Sequence, residues 1–179
     1  MIRDFRRGSN LLTAHEITSV EGNEMAVPQK DSFESIRMIA SSAVNRVEKA
    51  RKTAEAIRNF GSYRWVGVYD VGSDEVSIIA YSGLHAPAYP TFPIGKGLTG
   101  SAIKEKKTVV VGDVTTDPRY LTAFGSTKSE IIIPIVDSRL GAVVGTVDVE
   151  SERTNAFSEA DRKALEDCAT AASALWIAE

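Results

Sequence analysis

The chain has 179 residues, 43% hydrophobic and 25% charged, which suits one globular domain and excludes disorder as its main state. Its 24 acidic and 21 basic residues give a formal net charge of -3, and residues 61–179 alone carry 16 acidic against 11 basic, which excludes the basic footprint of a nucleic-acid-binding domain. Cys168 is the one cysteine, so an intrachain disulfide framework and a cysteine-rich zinc site are excluded.

No apolar stretch has the length of a signal-peptide core or a membrane span, so the expectation is a cytoplasmic protein that does not enter a membrane. Residues 1–30 mix charge, Gly8, Gly22 and Pro28 without a sustained apolar period and read as an arm or a short accessory helix, with the domain proper at 31–179. Asp31 followed by Glu34 has the form of a capping box. After it Phe33, Ile36, Ala40, Ala43, Val44, Val47, Ala54 and Ile57 recur at three- and four-residue steps, predicting one long amphipathic helix from Asp31 to about Asn59. Gly61 is placed to end it in a left-handed conformation.

The pattern then turns to period two. In YRWVGVYDV, alternation puts Tyr63, Trp65, Gly67, Tyr69 and Val71 on one face and Val66 and Val68 on the other. A turn at Gly72–Asp74 leads into EVSIIAYSG, a second strand and an antiparallel hairpin. GLHAPAYPTFPIGKG, with three prolines and three glycines, reads as irregular; LTGSAIKEK follows as a short helix and TVVV as a strand. GDVTTDPRYLTAFGSTK is a second long loop, and loops of this length in compact domains are usually functional. SEIIIPIV and AVVGTVDVE make a second hairpin about a turn at 137–140. Ser158 then caps a helix with Leu165, Cys168, Ala169, Ala172, Leu175 and Trp176 on its apolar face. Hairpin connections predict an α+β domain with a central antiparallel sheet of five to six strands flanked by helices.

Three groups of residues carry chemistry. Gly95, Gly97 and Gly100 match G-x-G-x-x-G, but a proline-rich loop precedes them where a dinucleotide site needs a strand. What remains is a glycine-rich approach to a helix start, serving either turn geometry or contact of backbone N–H groups from Gly97, Leu98, Thr99 and Gly100 with a ligand anion. With a turn at 138–140, Glu130 lies opposite or nearly opposite Asp148, and alternation puts Thr146, Asp148 and Glu150 on the same face. Three carboxylates so close need hydration, protonation or a cation; a ligand ammonium, a metal, a basic side chain and plain exposure all satisfy that. Trp65 and Tyr69 flank Gly67, either as core packing or as walls of a shallow space. Cys168 reads as inert core, and His15 and His85 form no triad.

RWVGVYD, FPIGKGLTGSAIKEKKTVVVGDV, SEIIIPIVDSRLGAVVGTVDVES and FSEADRKALE, in that order, resemble a GAF domain over about residues 33–177. The resemblance implies a GAF-like, PAS-related sheet between helices, with loops closing over a small ligand. Within that superfamily the chain looks like the free methionine-(R)-sulfoxide reductases, which use cysteine thiols on a free amino acid. That likeness implies a substrate site at Trp65, Tyr69, Glu130, Asp148 and Glu150. Where that family has its three cysteines this chain has Tyr89, Thr99 and Ala123, and without thiols the reaction has neither attacking nor resolving sulfur. The marks of cyclic-nucleotide and bilin-binding members are absent, and His85 is the one remote candidate for a haem ligand.

The expectation is therefore a non-catalytic module that binds a small polar or amino-acid-like ligand between the sheet and the 84–97 and 112–128 loops, in signalling. No catalytic residue, cofactor or metal is expected, and a homodimer through the helices is. The alternatives are a reductase acting without those cysteines and a dimerisation domain that binds nothing.

Overall fold

The computed structural model describes residues 30–176, with side chains from Ser32 onward. The expected N-terminal arm lies outside what is described, and Asp31, expected as the cap, is already within α1, one residue after Lys30. Six strands form one antiparallel sheet: β1 (Trp65–Val71), β2 (Glu75–Ser82), β3 (Thr91–Pro93), β4 (Val109–Val111), β5 (Ser129–Asp137) and β6 (Ala142–Ser151), in the spatial order β3-β2-β1-β6-β5-β4. Helices α1 (Lys30–Ala40), α2 (Arg46–Phe60) and α4 (Glu159–Ala172) cover one face, and α3 (Gly97–Glu105) with two long loops covers the other. This is the expected α+β, GAF-like architecture.

Burial on the two faces follows strand alternation. Val66, Val68, Ile131, Ile133, Val147 and Val149 point to the helices and join Ile36, Ala54, Ile57, Leu165 and Cys168 in the main core. A smaller apolar cluster on the opposite face gathers Leu98, Ala102, Val109, Val111 and Ile132 under α3. Burial on both faces explains the consecutive apolar residues of β1 and of Ile131–Ile133 in β5.

Four expectations are corrected. The single helix 31–59 is two helices, because Asn45 stops it: its side chain accepts a hydrogen bond from the Glu48 N–H at 3.0 Å and starts α2 afresh. Ser41 and Ser42 before it favour turns over helix interior, and Val44 and Val47 come out exposed instead of joining the stripe. Second, α2 does end at Phe60, but Gly61 has φ -97° and supplies room instead of a left-handed turn. A Cβ there would lie 2.0 Å from the Tyr63 ring. Third, Tyr63 leaves the Trp65 face and packs on Phe157 at 6.1 Å among the helices. Ser62, at φ +50°, turns the chain before the alternation begins. Fourth, the proline-rich stretch contains β3, whose three residues pair with Glu75–Ser77.

One group of contacts ties down the end of β1. Arg46 makes a bidentate pair with Asp70 at 2.7 and 2.8 Å, lies over the Trp176 ring and donates to the Leu175 carbonyl, while the Trp176 indole N–H donates to Asp70. The N-terminus of α2, the end of β1 and the last turn of the chain are thereby tied together. At the other side, β4 pairs only with Glu130–Ile132, so β5 from Ile133 onward, including Pro134, is a sheet edge.

Replacing the α2 cap, Asn45→Ala, is expected to cost about 1 kcal/mol and lower the melting temperature by about 2–4 °C in a domain of this size. A thermal melt followed by circular dichroism checks this; an unchanged midpoint would show that α2 begins without its cap.

Candidate functional site

The face of β1, β6 and β5 turned away from α1, α2 and α4 carries Trp65, Gly67, Tyr69, Glu130, Thr146, Asp148 and Glu150, every second residue of three adjacent strands. Glu130 sits opposite Glu150, not Asp148, whose cross-strand partners are Ile132 and Gly67. The difference has two causes. The turn runs through Ser138–Gly141, with the Gly141 N–H bonded to the Asp137 carbonyl, and a one-residue bulge follows between Ile135 and Val136. Together they shift the pairing by two residues, and a two-residue shift leaves every side chain on its original face.

The three carboxylates converge. One oxygen from each of Glu130, Asp148 and Glu150 lies within 4.8 Å of the others, and the residues are 6%, 5% and 0% exposed. Thr127 donates its hydroxyl to one Glu150 oxygen. The other Glu150 oxygen, one of Glu130 and one of Asp148 are buried with no hydrogen-bond partner, in a protein where such groups ordinarily find one. Burial, then the neighbouring carboxylates, push Glu130 and Asp148 well above the usual carboxylate range. Burial also raises Glu150, to about 7, with the Thr127 hydroxyl and the Arg64 charge pulling the other way. Arg64 itself is committed to Glu152 at 2.7 Å and to Ser126. The cluster has no cationic partner among the described residues.

Beside the acids is a cavity of about 20 Å³, lined by Tyr69, Tyr89, Phe92, Leu121, Glu130 and Asp148 together with Ala123 and the first residues of α3, Gly97, Leu98 and Thr99, and roomy enough for about one water. Tyr89 and Phe92 come from the first long loop and β3, Leu121 and Ala123 from the second loop. Of the residues singled out in the sequence, Tyr69, Gly97, Leu98, Thr99, Glu130 and Asp148 reach this cavity. Glu150 stands behind the other acids. Trp65 stands behind Tyr69, with ring centroids 6.5 Å apart, and donates its indole N–H to the His85 carbonyl.

Two details differ from the sequence reading. No open space remains over Gly67, because the two rings close across it: a Cβ there would meet Trp65 at 2.4 Å and Tyr69 at 2.7 Å. Gly100 is a packing residue. Its N–H is bonded to the Lys96 carbonyl, and a Cβ would lie 2.6 Å from Gly95. The N–H groups of Gly97, Leu98 and Thr99, in the first turn of α3, have no partner within the helix, and no side chain caps it. Thr127, Phe92 and Leu121 were not foreseen. No spacing marks them, since each reaches the site from a loop or from an edge strand of three residues.

The donor set can be tested against a divalent cation. Calcium takes six to eight oxygens and magnesium keeps several waters in an octahedron; here three carboxylates face a nearly filled space walled by Tyr69, Phe92 and Leu98. With the loops closed as described, the set leaves no room for the further oxygens such an ion keeps. It suits an ammonium group, which presents three N–H donors to three acceptors. A larger concavity of about 640 Å³ lies between α4 and the free edge of β5, where Glu166 accepts from both Arg162 and Thr108.

Comparison with known proteins agrees with the fold. The sequence profile of the GAF domain matches residues 45–176. GAF domain-containing protein A of Dictyostelium discoideum is 30% identical over 122 residues, 68% of this chain and 75% of that one. The free methionine-R-sulfoxide reductase of Saccharomyces cerevisiae is 33% identical over 106 residues, covering 59% of this chain and 58% of its own length. Among solved structures, the free methionine-R-sulfoxide reductase from Neisseria meningitidis in complex with its substrate superposes with a TM-score of 0.72 at 26% identity, covering 84% of this chain and 93% of that one.

Carboxyls whose affinity for protons is raised by folding stabilise the folded state below their unfolded values, and that stability is lost as pH rises through the folded values. Glu150 at about 7, with Glu130 and Asp148 raised in the same direction, puts this loss on the neutral side. The ion-paired Asp70 and Asp137 are shifted down and lose their contribution only in stronger acid. The ligand-free protein is therefore expected to melt several degrees higher near pH 5.5 than near pH 7.5. Scanning calorimetry across that range checks the sign; a midpoint that rises toward pH 7.5 contradicts the electrostatics of the cluster.

Proposed function

The chain belongs to the GAF domain family, and from that premise we propose that it is a small-molecule-binding module whose ligand carries a primary ammonium group, an amino acid or a close relative, and that it performs no thiol chemistry on that ligand. The observation that carries this reading is the buried cluster of Glu130, Asp148 and Glu150, three acids with unpartnered oxygens and no cation paired with them among the described residues. A ligand ammonium supplies the missing charge and the missing donors. Tyr69, Tyr89 and Phe92 wall the apolar part of the ligand, and the N–H groups that open α3 receive its carboxylate or carbonyl. With only about 20 Å³ open beside the acids, the 84–97 and 112–128 loops part to admit an amino acid and close again over it.

The likeness to free methionine-R-sulfoxide reductases supports the amino-acid class and raises catalysis as a second reading. Against catalysis stand the positions that the resemblance matches to cysteines. Tyr89, Thr99 and Ala123 all line the cavity, so the residues found where thiols would act are a phenol, an alcohol and a methyl group. The remaining thiol, Cys168, lies on the other side of the sheet in the helical core. Burial pushes it up to about 12, so it is not a thiolate at neutral pH. The reading extends to a signalling role and to a homodimer through the α1–α2 surface, where Met38 and Val47 are 70% and 59% exposed. Among the described residues no helix is long and apolar enough to cross a membrane.

A thermal-shift screen with methionine, both epimers of methionine sulfoxide, other amino acids and simple primary amines tests the proposal. A ligand at about 100 times its dissociation constant adds about 2.7 kcal/mol, a shift of several degrees. Asp148→Asn is expected to keep the fold and weaken such a ligand at least about tenfold, or about 1.4 kcal/mol. Unchanged affinity would remove Asp148 from the site. With dithiothreitol present no methionine is expected to form from methionine sulfoxide, and Cys168→Ala is expected to leave the thermal shift unaltered; turnover abolished by that substitution would establish the reductase.

A further inference from the structure

The acid cluster is more than a fixed negative pocket. Three carboxylates whose oxygens lie within 4.8 Å, each nine-tenths or more buried, cannot all be ionised together without a cation among them. Nor is their environment able to neutralise them. Tyr69 from β1, Tyr89 from the first loop, and Asp117 and Tyr120 from the second offer no positive charge, and α3 presents Gly97, Leu98 and Thr99. Arg64, from the turn before β1, is the one cation among the described residues that acts on the cluster, and it is held by Glu152 and Ser126. The unpartnered oxygens of Glu130, Asp148 and Glu150 are where protons reside when no ligand is bound.

Resting on the reading of the site as an ammonium receptor, we propose that this protein takes up its ligand in exchange for protons, so that occupancy reports acidity as well as ligand concentration. Carboxyl O–H bonds at the cluster break as the ammonium enters. The electron pairs stay on the carboxylate oxygens, which then accept the ligand's N–H groups, and the protons pass to the buffer. Nothing is oxidised or reduced. For each proton released per ligand, affinity falls about tenfold per unit of pH as the medium becomes more acidic. The range runs from the free cluster's titration, on the neutral side, down to the ordinary carboxylate range near about 4. The Thr127 hydroxyl, which donates to Glu150, joins the second loop to the same equilibrium, because it is bonded most strongly when Glu150 is ionised.

The experiment is a pair of measurements on the full chain. Carbon-13 NMR of labelled Asp and Glu carboxyls, titrated with and without L-methionine-R-sulfoxide and n-propylamine, follows the cluster directly. Calorimetry of the same compounds in phosphate and in Tris counts the protons released. The expected result is at least one cluster carboxyl titrating near or above neutrality in the free protein, moved down by the bound amine. Binding heat should differ between the buffers, and affinity should rise about tenfold from about pH 6 to 7. Cluster carboxyls that titrate in the ordinary range while ligand still binds overturn the exchange and leave the functional reading standing. Buffer-independent heat with pH-independent affinity does the same. Carboxyls that titrate high and are unmoved by any compound of the panel overturn the ammonium reading, and the exchange with it.

Discussion

Burying three carboxylates on one face of a sheet is the constraint around which this domain is arranged. Each acid costs free energy in the folded state whether it is held protonated or left charged, so the acids are supported by structure that does not depend on them. The opposite face of the same strands supplies it. Val66, Val68, Val147, Val149, Ile131 and Ile133 alternate with the site residues along the chain and pack on three helices. Every strand that carries an acid is anchored by its neighbours in sequence, and the chemistry and the core share a backbone without sharing a side of it.

That separation also places the chain's thiol. Cys168 belongs to the helical side, with the full thickness of the sheet between it and the cavity, and no side-chain motion brings it across. The three loop and helix positions that border the cavity, Tyr89, Thr99 and Ala123, make a site that can hold and discriminate but offers no sulfur. Trp65 and Tyr69 serve the acids indirectly. Their rings close over Gly67, opposite Asp148, and shut water away from the side of the cluster that no loop covers. Burial of the acids and the closeness of their charges are what raise the carboxyls.

The succession of five of the six strands along the chain, the two hairpins and the gathering of acids on one face were legible in the sequence, because alternation survives errors that preserve parity. The pairing of Glu130 was misplaced by two residues, yet its face was right, since a longer turn and one bulge together displaced the register evenly. A single-residue error would have sent the glutamate into the helical core. The helix break at Asn45 was less visible: the residues after it keep the three- and four-residue period, and only a side-chain cap to Glu48 interrupts it. Tyr63 was misread because alternation was extended past Ser62, whose positive φ no periodicity reveals. Phe92, Leu121 and Thr127 reach the site through tertiary folding of long loops, for which sequence spacing carries no information.

The rims of the sheet are modest strands. β3 and β4 have three residues each, β3 ends in Pro93, and the stretch of β5 left uncovered by β4 contains Pro134. A proline has no N–H to offer an approaching strand, and a strand of three residues gives it little to register on. If the loops part as proposed, apolar surface at Phe92 and Leu121 is uncovered each time the domain admits a ligand. Its rims nevertheless present little template for a second molecule to extend the ladder, so the chain can work at high concentration without polymerising edge to edge.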